Sequence, residues 1–101
     1  SPASTEQRGA EVDRLPQLVS NPAPYYPPQA LAQRRAGRVV LQARVGVDGR
    51  VLALSVRESS GMGDLDRAAL DAVWHWQFSP ALRAGAPVEH EIAVPVRFVL
   101  R

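Results

Sequence analysis

Residues Val88 to Leu100 alternate in character. Val88, Ile92, Val94, Val96, Phe98 and Leu100 fall on one face, with Glu89, Glu91 and Arg97 on the other. A period of two over that length predicts a half-buried β-strand. Pro95 interrupts it chemically, because proline has no N–H to give to a ladder and is confined to edge strands or bulges. The last strand is therefore predicted to lie at a sheet edge, where unpaired main-chain groups invite another extended chain.

Two further segments alternate. Arg38 to Val47 places Val39, Leu41, Ala43, Val45 and Val47 on one face and Val40, Gln42 and Arg44 on the other, and Val51 to Glu58 turns Leu52, Leu54 and Val56 inward. Asp48-Gly49 between them offers the positive φ values of a tight hairpin turn. Before the hairpin, Pro27 and Pro28 suit a first helical turn, Gln29 to Arg35 are good helix formers, and Gly37 stands where a left-handed C-terminal cap is expected. After it, Ser59-Ser60-Gly61-Met62-Gly63 breaks the pattern. Asp64 and Asp66 then bring carboxylates to the positive end of a second helix, whose stripe is Leu65, Ala69, Ala72, Val73 and Trp76. Ser79-Pro80 stops that helix, and Ala84-Gly85-Ala86-Pro87 turns the chain into the last strand.

The predicted order is αββαβ, an α+β fold in which a three-stranded antiparallel sheet carries two helices on one face as a two-layer sandwich. A right-handed split unit gives the sheet order 2-1-3, again leaving the last strand at an edge. Residues 1–24, polar and then proline-rich around a small apolar patch at Leu15, Leu18 and Val19, are predicted to be a flexible linker, with the folded domain over 25–101. At 101 residues the chain holds one modest core. The chain starts without methionine and has no long apolar stretch, which suggests a mature product or excised fragment of a parent that supplies any membrane span.

Composition excludes more than it names. The net charge is +2, from twelve arginines against ten acidic residues, and the arginines are scattered among carboxylates without stacking aromatics. No nucleic-acid footprint results. Without cysteine there are no disulfides and few structural zinc patterns, and His75 and His90, the only histidines, lack neighbouring ligands, so no metal and no cofactor is expected. Trp74-His75-Trp76 suggests an aromatic box, but Trp76 lies on the helix stripe and is assigned to the core, Trp74 to its flank and His75 to solvent. Asp64, Asp66 and Asp71 are read as helix-surface carboxylates rather than paired catalytic acids, Asp48 as turn chemistry, and Ser59 and Ser60 have no base beside them. No enzyme is expected.

The ordered set of residues resembles the C-terminal domain of TonB and its relatives in the Gram-negative periplasm. The resemblance runs from about Pro24 to Leu100. It rests on Tyr26-Pro27 followed by Ala30, Gly37-Arg38-Val39, Val47-Asp48-Gly49-Arg50-Val51, and Val56 with Ser59-Ser60-Gly61. It continues through Leu65-Asp66, Ala68-Ala69-Leu70, Ala72-Val73, Trp76, Phe78, Pro80, and Gly85 before the strand ending in Phe98. The resemblance implies a periplasmic domain of a protein anchored in the inner membrane, where a proton-driven motor complex energises it. It also implies binding of the TonB box and plug of outer-membrane transporters, for uptake of nutrients such as iron complexes or haem, by addition of the box beside the last strand. The residues this assigns to partner binding are Val88, Glu89, His90, Glu91, Ile92, Ala93, Val94, Pro95, Val96, Arg97 and Val99. If the Pro95 nitrogen faces outward, pairing runs through Glu91, Ala93, Arg97 and Val99 with a gap between. Two rival readings are a TolA-like envelope linker and a self-associating module that forms a weak homodimer through its last strands.

Overall fold

A computed structural model describes residues 12–100. Its elements are β1 (Gln17–Ser20), α1 (Pro28–Ala32), β2 (Gly37–Val45), β3 (Val51–Glu58), α2 (Gly63–Val73), β4 (Gln77–Ser79), β5 (Ala81–Arg83), β6 (Ala86–Val88) and β7 (His90–Phe98). The central antiparallel sheet has the order β3-β2-β7, which is the predicted 2-1-3 arrangement. The α+β class holds, although the element order is richer than αββαβ.

The core lies between one face of this sheet and both helices. Val39, Leu41, Ala43 and Val45 of β2 and Val94, Val96 and Phe98 of β7 meet Ala30 of α1 and Leu65, Ala68, Ala69 and Val73 of α2. The α2 positions recur at three- and four-residue spacing, so they fall on one stripe, and burying a side chain the size of Leu65 contributes about 1.5–3 kcal/mol. Trp76 and Phe78 extend the core past the end of α2, with ring centroids 6.5 Å apart. Tyr26 closes the other end by an edge-on contact to Phe98 at 5.5 Å. Its hydroxyl also donates to the Arg35 carbonyl.

Several local expectations are corrected. Helix α1 ends at Ala32, and the left-handed cap residue is Arg34 (φ 54°) rather than Gly37. Arg34 N–H donates to the Leu31 carbonyl at 3.0 Å and Arg35 N–H to the Ala30 carbonyl at 2.8 Å, the paired bonds of a Schellman ending. Gly37 instead opens β2, where a Cβ would stand 3.3 Å from both the Met62 and Ser60 side chains. Val47 is not inward but 56% exposed, because β2 stops at Val45 and Val47 falls in the turn. That turn runs Gly46 to Gly49, closed by Gly49 N–H to the Gly46 carbonyl at 2.9 Å. Only Gly49 (φ 82°) has a positive angle; Asp48 does not, and serves by accepting the Arg50 N–H at Oδ1, 3.1 Å.

In β3 the register against β2 shifts twice. Val45 faces Val51 while Arg44 faces Ala53, and Leu41 faces Val56 while Val40 faces Glu58, so Leu52 and Arg57 are extra residues on β3. Each is a β-bulge. The first explains why Val51 packs against the core while Leu52 is 49% exposed, the reverse of the alternation read from the sequence.

The segment expected to be a linker is partly structured, and residues 1–11 lie outside the described ones, as does Arg101. Strand β1 pairs antiparallel with β4, Leu18 opposite Phe78, and Arg14 bridges to Leu82 on β5. All four β1 residues are exposed, so main-chain pairing rather than burial holds them. Trp76 Nε1 donates to the Pro22 carbonyl at 2.9 Å, and the Asp13 carboxylate accepts the Ala84 N–H, tying both ends of the segment down. Residues 77–88, read as a stop and a turn, form β4 and the β5–β6 hairpin. Its two-residue loop is Ala84-Gly85, with φ of 52° and 79°.

Candidate functional site

Strand β7 is an edge. Its pairing with β2 runs from Val45 opposite His90 to Gly37 opposite Phe98 without a shift, and among the described residues no strand pairs with its other side. β3 is the other edge of the same sheet, a feature the sequence pattern did not single out. The two differ in regularity. The two bulges in β3 twist and interrupt it, which is a common way of blunting an edge, whereas β7 presents nine regular residues broken only by Pro95.

The predicted site residues divide. His90, Glu91, Ile92, Ala93, Val94, Pro95, Val96 and Arg97 all lie in β7. Val88 does not: it belongs to β6, opposite Ala81, and Glu89 links the two strands. Val99 is exposed but follows the end of β7, so it lies outside the ladder. Along β7 the even positions from Val94 to Phe98 are buried and the odd ones from Glu91 to Arg97 exposed, as the alternation predicts.

The exposed face of the sheet has its own charge pattern. Arg44 on β2 pairs with Glu91 at 2.8 Å and Glu89 at 3.3 Å, and Gln42 Nε2 donates to Glu91 at 3.2 Å. These glutamates therefore have intramolecular partners, and their charge is balanced within the domain. Further along, Arg38 stands directly opposite Arg97, and Val40 opposite Pro95.

The other polar candidates are accounted for locally. Asp64 forms an ion pair with Arg35 at 2.7 Å. Asp66 accepts from the Ser59 hydroxyl, from Ser60 N–H at 2.9 Å and from the Ser60 hydroxyl at 2.7 Å, fastening the β3–α2 loop. Burial pushes the Asp66 carboxyl up, but these three bonds outweigh it and hold the group below its ordinary range. Trp76 is buried, while Trp74 (45% exposed) and His75 face solvent. No group of three or more metal-ligating side chains converges among the described residues. Beside α2 an open groove of about 650 Å³ runs along Pro22, Ala23 and Pro27, floored by Ala68 and Ala72.

Together these features define a small two-layer α+β domain with one regular, unpaired sheet edge. Residues 22–100 match the family described as Gram-negative bacterial TonB protein C-terminal, and the chain belongs to that family. It is 40% identical over 92 residues to protein TonB of Xanthomonas campestris, covering 91% of this chain and 40% of that one. It is 42% identical over 84 residues to protein tonB2 of Pseudomonas aeruginosa, covering 81% of this chain and 30% of that one. The chain thus spans well under half the length of these relatives. In structure it is similar to the solution NMR structure of the Pseudomonas aeruginosa TonB C-terminal domain, with a TM-score of 0.71 and 27% identity over 85% of this chain and 87% of that one.

Proposed function

We propose that this domain is the receptor-binding end of an energy-transducing TonB-type protein, lying in the periplasm while another part of the parent anchors in the inner membrane. It binds the TonB box of an outer-membrane transporter as a fourth strand beside β7, and through that grip the parent delivers energy derived from the proton-motive force for nutrient uptake. The role is mechanical recognition, without catalysis or cofactor. The observation that carries this reading is the single-neighbour position of a nine-residue, unshifted β7.

The pairing geometry follows from Pro95. A register that passes it without a shift is best satisfied when its nitrogen points away from β2, which turns the N–H and C=O groups of Glu91, Ala93 and Arg97 to the open side. With the Pro95 carbonyl that makes about seven main-chain bonds at most, each contributing about 0.5–1.5 kcal/mol net. Ordering six peptide residues costs about 1–2 kcal/mol each. The two nearly cancel, so side-chain contacts decide whether a given box is held.

The test is to titrate isotope-labelled domain with N-terminal peptides of the same organism's outer-membrane transporters and follow amide shifts. The largest shifts are expected in residues 90–98. Shifts confined to the helices and β3, with β7 silent, would overturn the proposal.

A further inference from the structure

We infer that Arg38 and Arg97 together form a reading position that selects an acidic side chain on the strand docked at β7; this rests on the strand-addition reading above. The two arginines face each other across β2 and β7, and both are exposed on the sheet face away from the helices. Directly opposite side chains have Cβ atoms about 4.5–5.5 Å apart, and like charges there repel. Among the described residues neither guanidinium has an ion pair or a side-chain hydrogen bond. Glu58 is in register with Val40, two residues from Arg38 on the same face, and makes no ion pair.

The contrast with the other end of the same face is what gives the pair meaning. There the opposite residues are Arg44 and Glu91, and Glu89 adds a second carboxylate, so the charge is balanced within the domain. At the Arg38–Arg97 end it is left positive, beside the open edge. A strand added to β7 puts one residue directly opposite Arg97 on this face, whichever direction it runs. A carboxylate in that place meets Arg97 in the fork geometry that guanidinium favours, and relieves the repulsion with Arg38. A lysine or arginine there adds a third positive charge.

The probe is a transporter N-terminal peptide that shifts β7 amides, remade with all its carboxylates as amides and then with one Glu moved along successive positions. One position and its register-equivalent neighbours should tighten binding by about 2- to 5-fold at low salt, the range of an exposed ion pair, and lose most of that gain as salt is raised. Arg97→Gln should abolish the gain, Arg38→Gln should reduce it, and Arg97→Glu should transfer the preference to Lys at the same position. A flat Glu scan, or a gain that persists in Arg97→Gln, overturns the inference while strand addition stands. If none of the organism's transporter N-terminal peptides shifts β7 amides, strand addition falls, and this inference with it.

Discussion

Replacing Gly49 by alanine should be among the most damaging single substitutions in the chain. The residue has φ 82°, and a Cβ built on it would lie 1.7 Å from the Phe78 carbonyl oxygen and 2.8 Å from Gln77 Nε2. The left-handed angle alone costs a non-glycine residue about 1–2 kcal/mol. The overlap with Phe78 is with backbone, so it cannot be relieved by a rotamer change; the turn must lift off β4. Lifting it breaks the Phe78 N–H bond to the Gly49 carbonyl (2.9 Å) and the Gln77 Nε2 bond to the Asp48 carbonyl (2.9 Å). Each is worth about 0.5–1.5 kcal/mol, so the total loss is about 2–5 kcal/mol before any disturbance of Phe78 in the core. A loss of 2 kcal/mol already lowers Tm by about 8–16 °C in a domain of this size. Gly85→Ala is the matched control, since Gly85 has φ 79° but a Cβ there would meet nothing within 4 Å. Thermal unfolding followed by tryptophan fluorescence should show Gly49→Ala losing at least 1 kcal/mol more than Gly85→Ala. Equal losses would mean that the turn does not press on β4, and the reasoning would fail.

Three further outcomes are expected. Trp76→Phe keeps most of the buried ring but removes the bond to the Pro22 carbonyl, so it should cost about 1 kcal/mol and speed amide exchange in β1 more than in β2. Asp66 has a folded pKa below its ordinary 3.8, so its contribution to stability is fully present above the unfolded pKa and is lost as pH falls through the lower folded value. Asp66→Asn should therefore flatten the fall in Tm below about pH 4, and an unchanged acid profile would count against the loop network. Pro95→Ala restores a donor on the open side of β7, and with one more bond of about 0.5–1.5 kcal/mol peptide affinity should rise by about 2- to 12-fold in a calorimetric titration. A fall in affinity with the fold intact would place the Pro95 nitrogen toward β2.

The central sheet was legible in the sequence because its strands are buried on one face and so write a period of two: Val39, Leu41, Ala43 and Val45 in β2 and Val94, Val96 and Phe98 in β7. Strand β1 writes no such period because it is held by something other than burial. Gln17–Ser20 is exposed throughout and exists because β4 offers it an edge. Leu52 obeys alternation on paper, but it is the extra residue of a β-bulge, and its inward place goes to Val51. Gly37 looked like a helix cap, yet the cap is Arg34, whose type gives no such signal; close packing against Met62 and Ser60 is the constraint on the glycine. For the site, Pro95 marks the edge, because its missing donor is readable from residue type alone. The ion pairs of Glu89 and Glu91 and the facing of Arg38 and Arg97 depend on which residues of β2 lie opposite, and register cannot be read from β7 alone.

The attachment of β1 gives the domain a yielding end. Tension applied from the N-terminal side meets the stretch from Asp13 to Ser20 first, where short main-chain pairings to β4 and β5 carry the load and no buried side chain is at stake. Peeling that stretch would release eight residues, about 26–29 Å of extended chain, before strain reaches the Trp76 anchor at Pro22. The domain would then lengthen its own tether by a small step before any load reached the packed core.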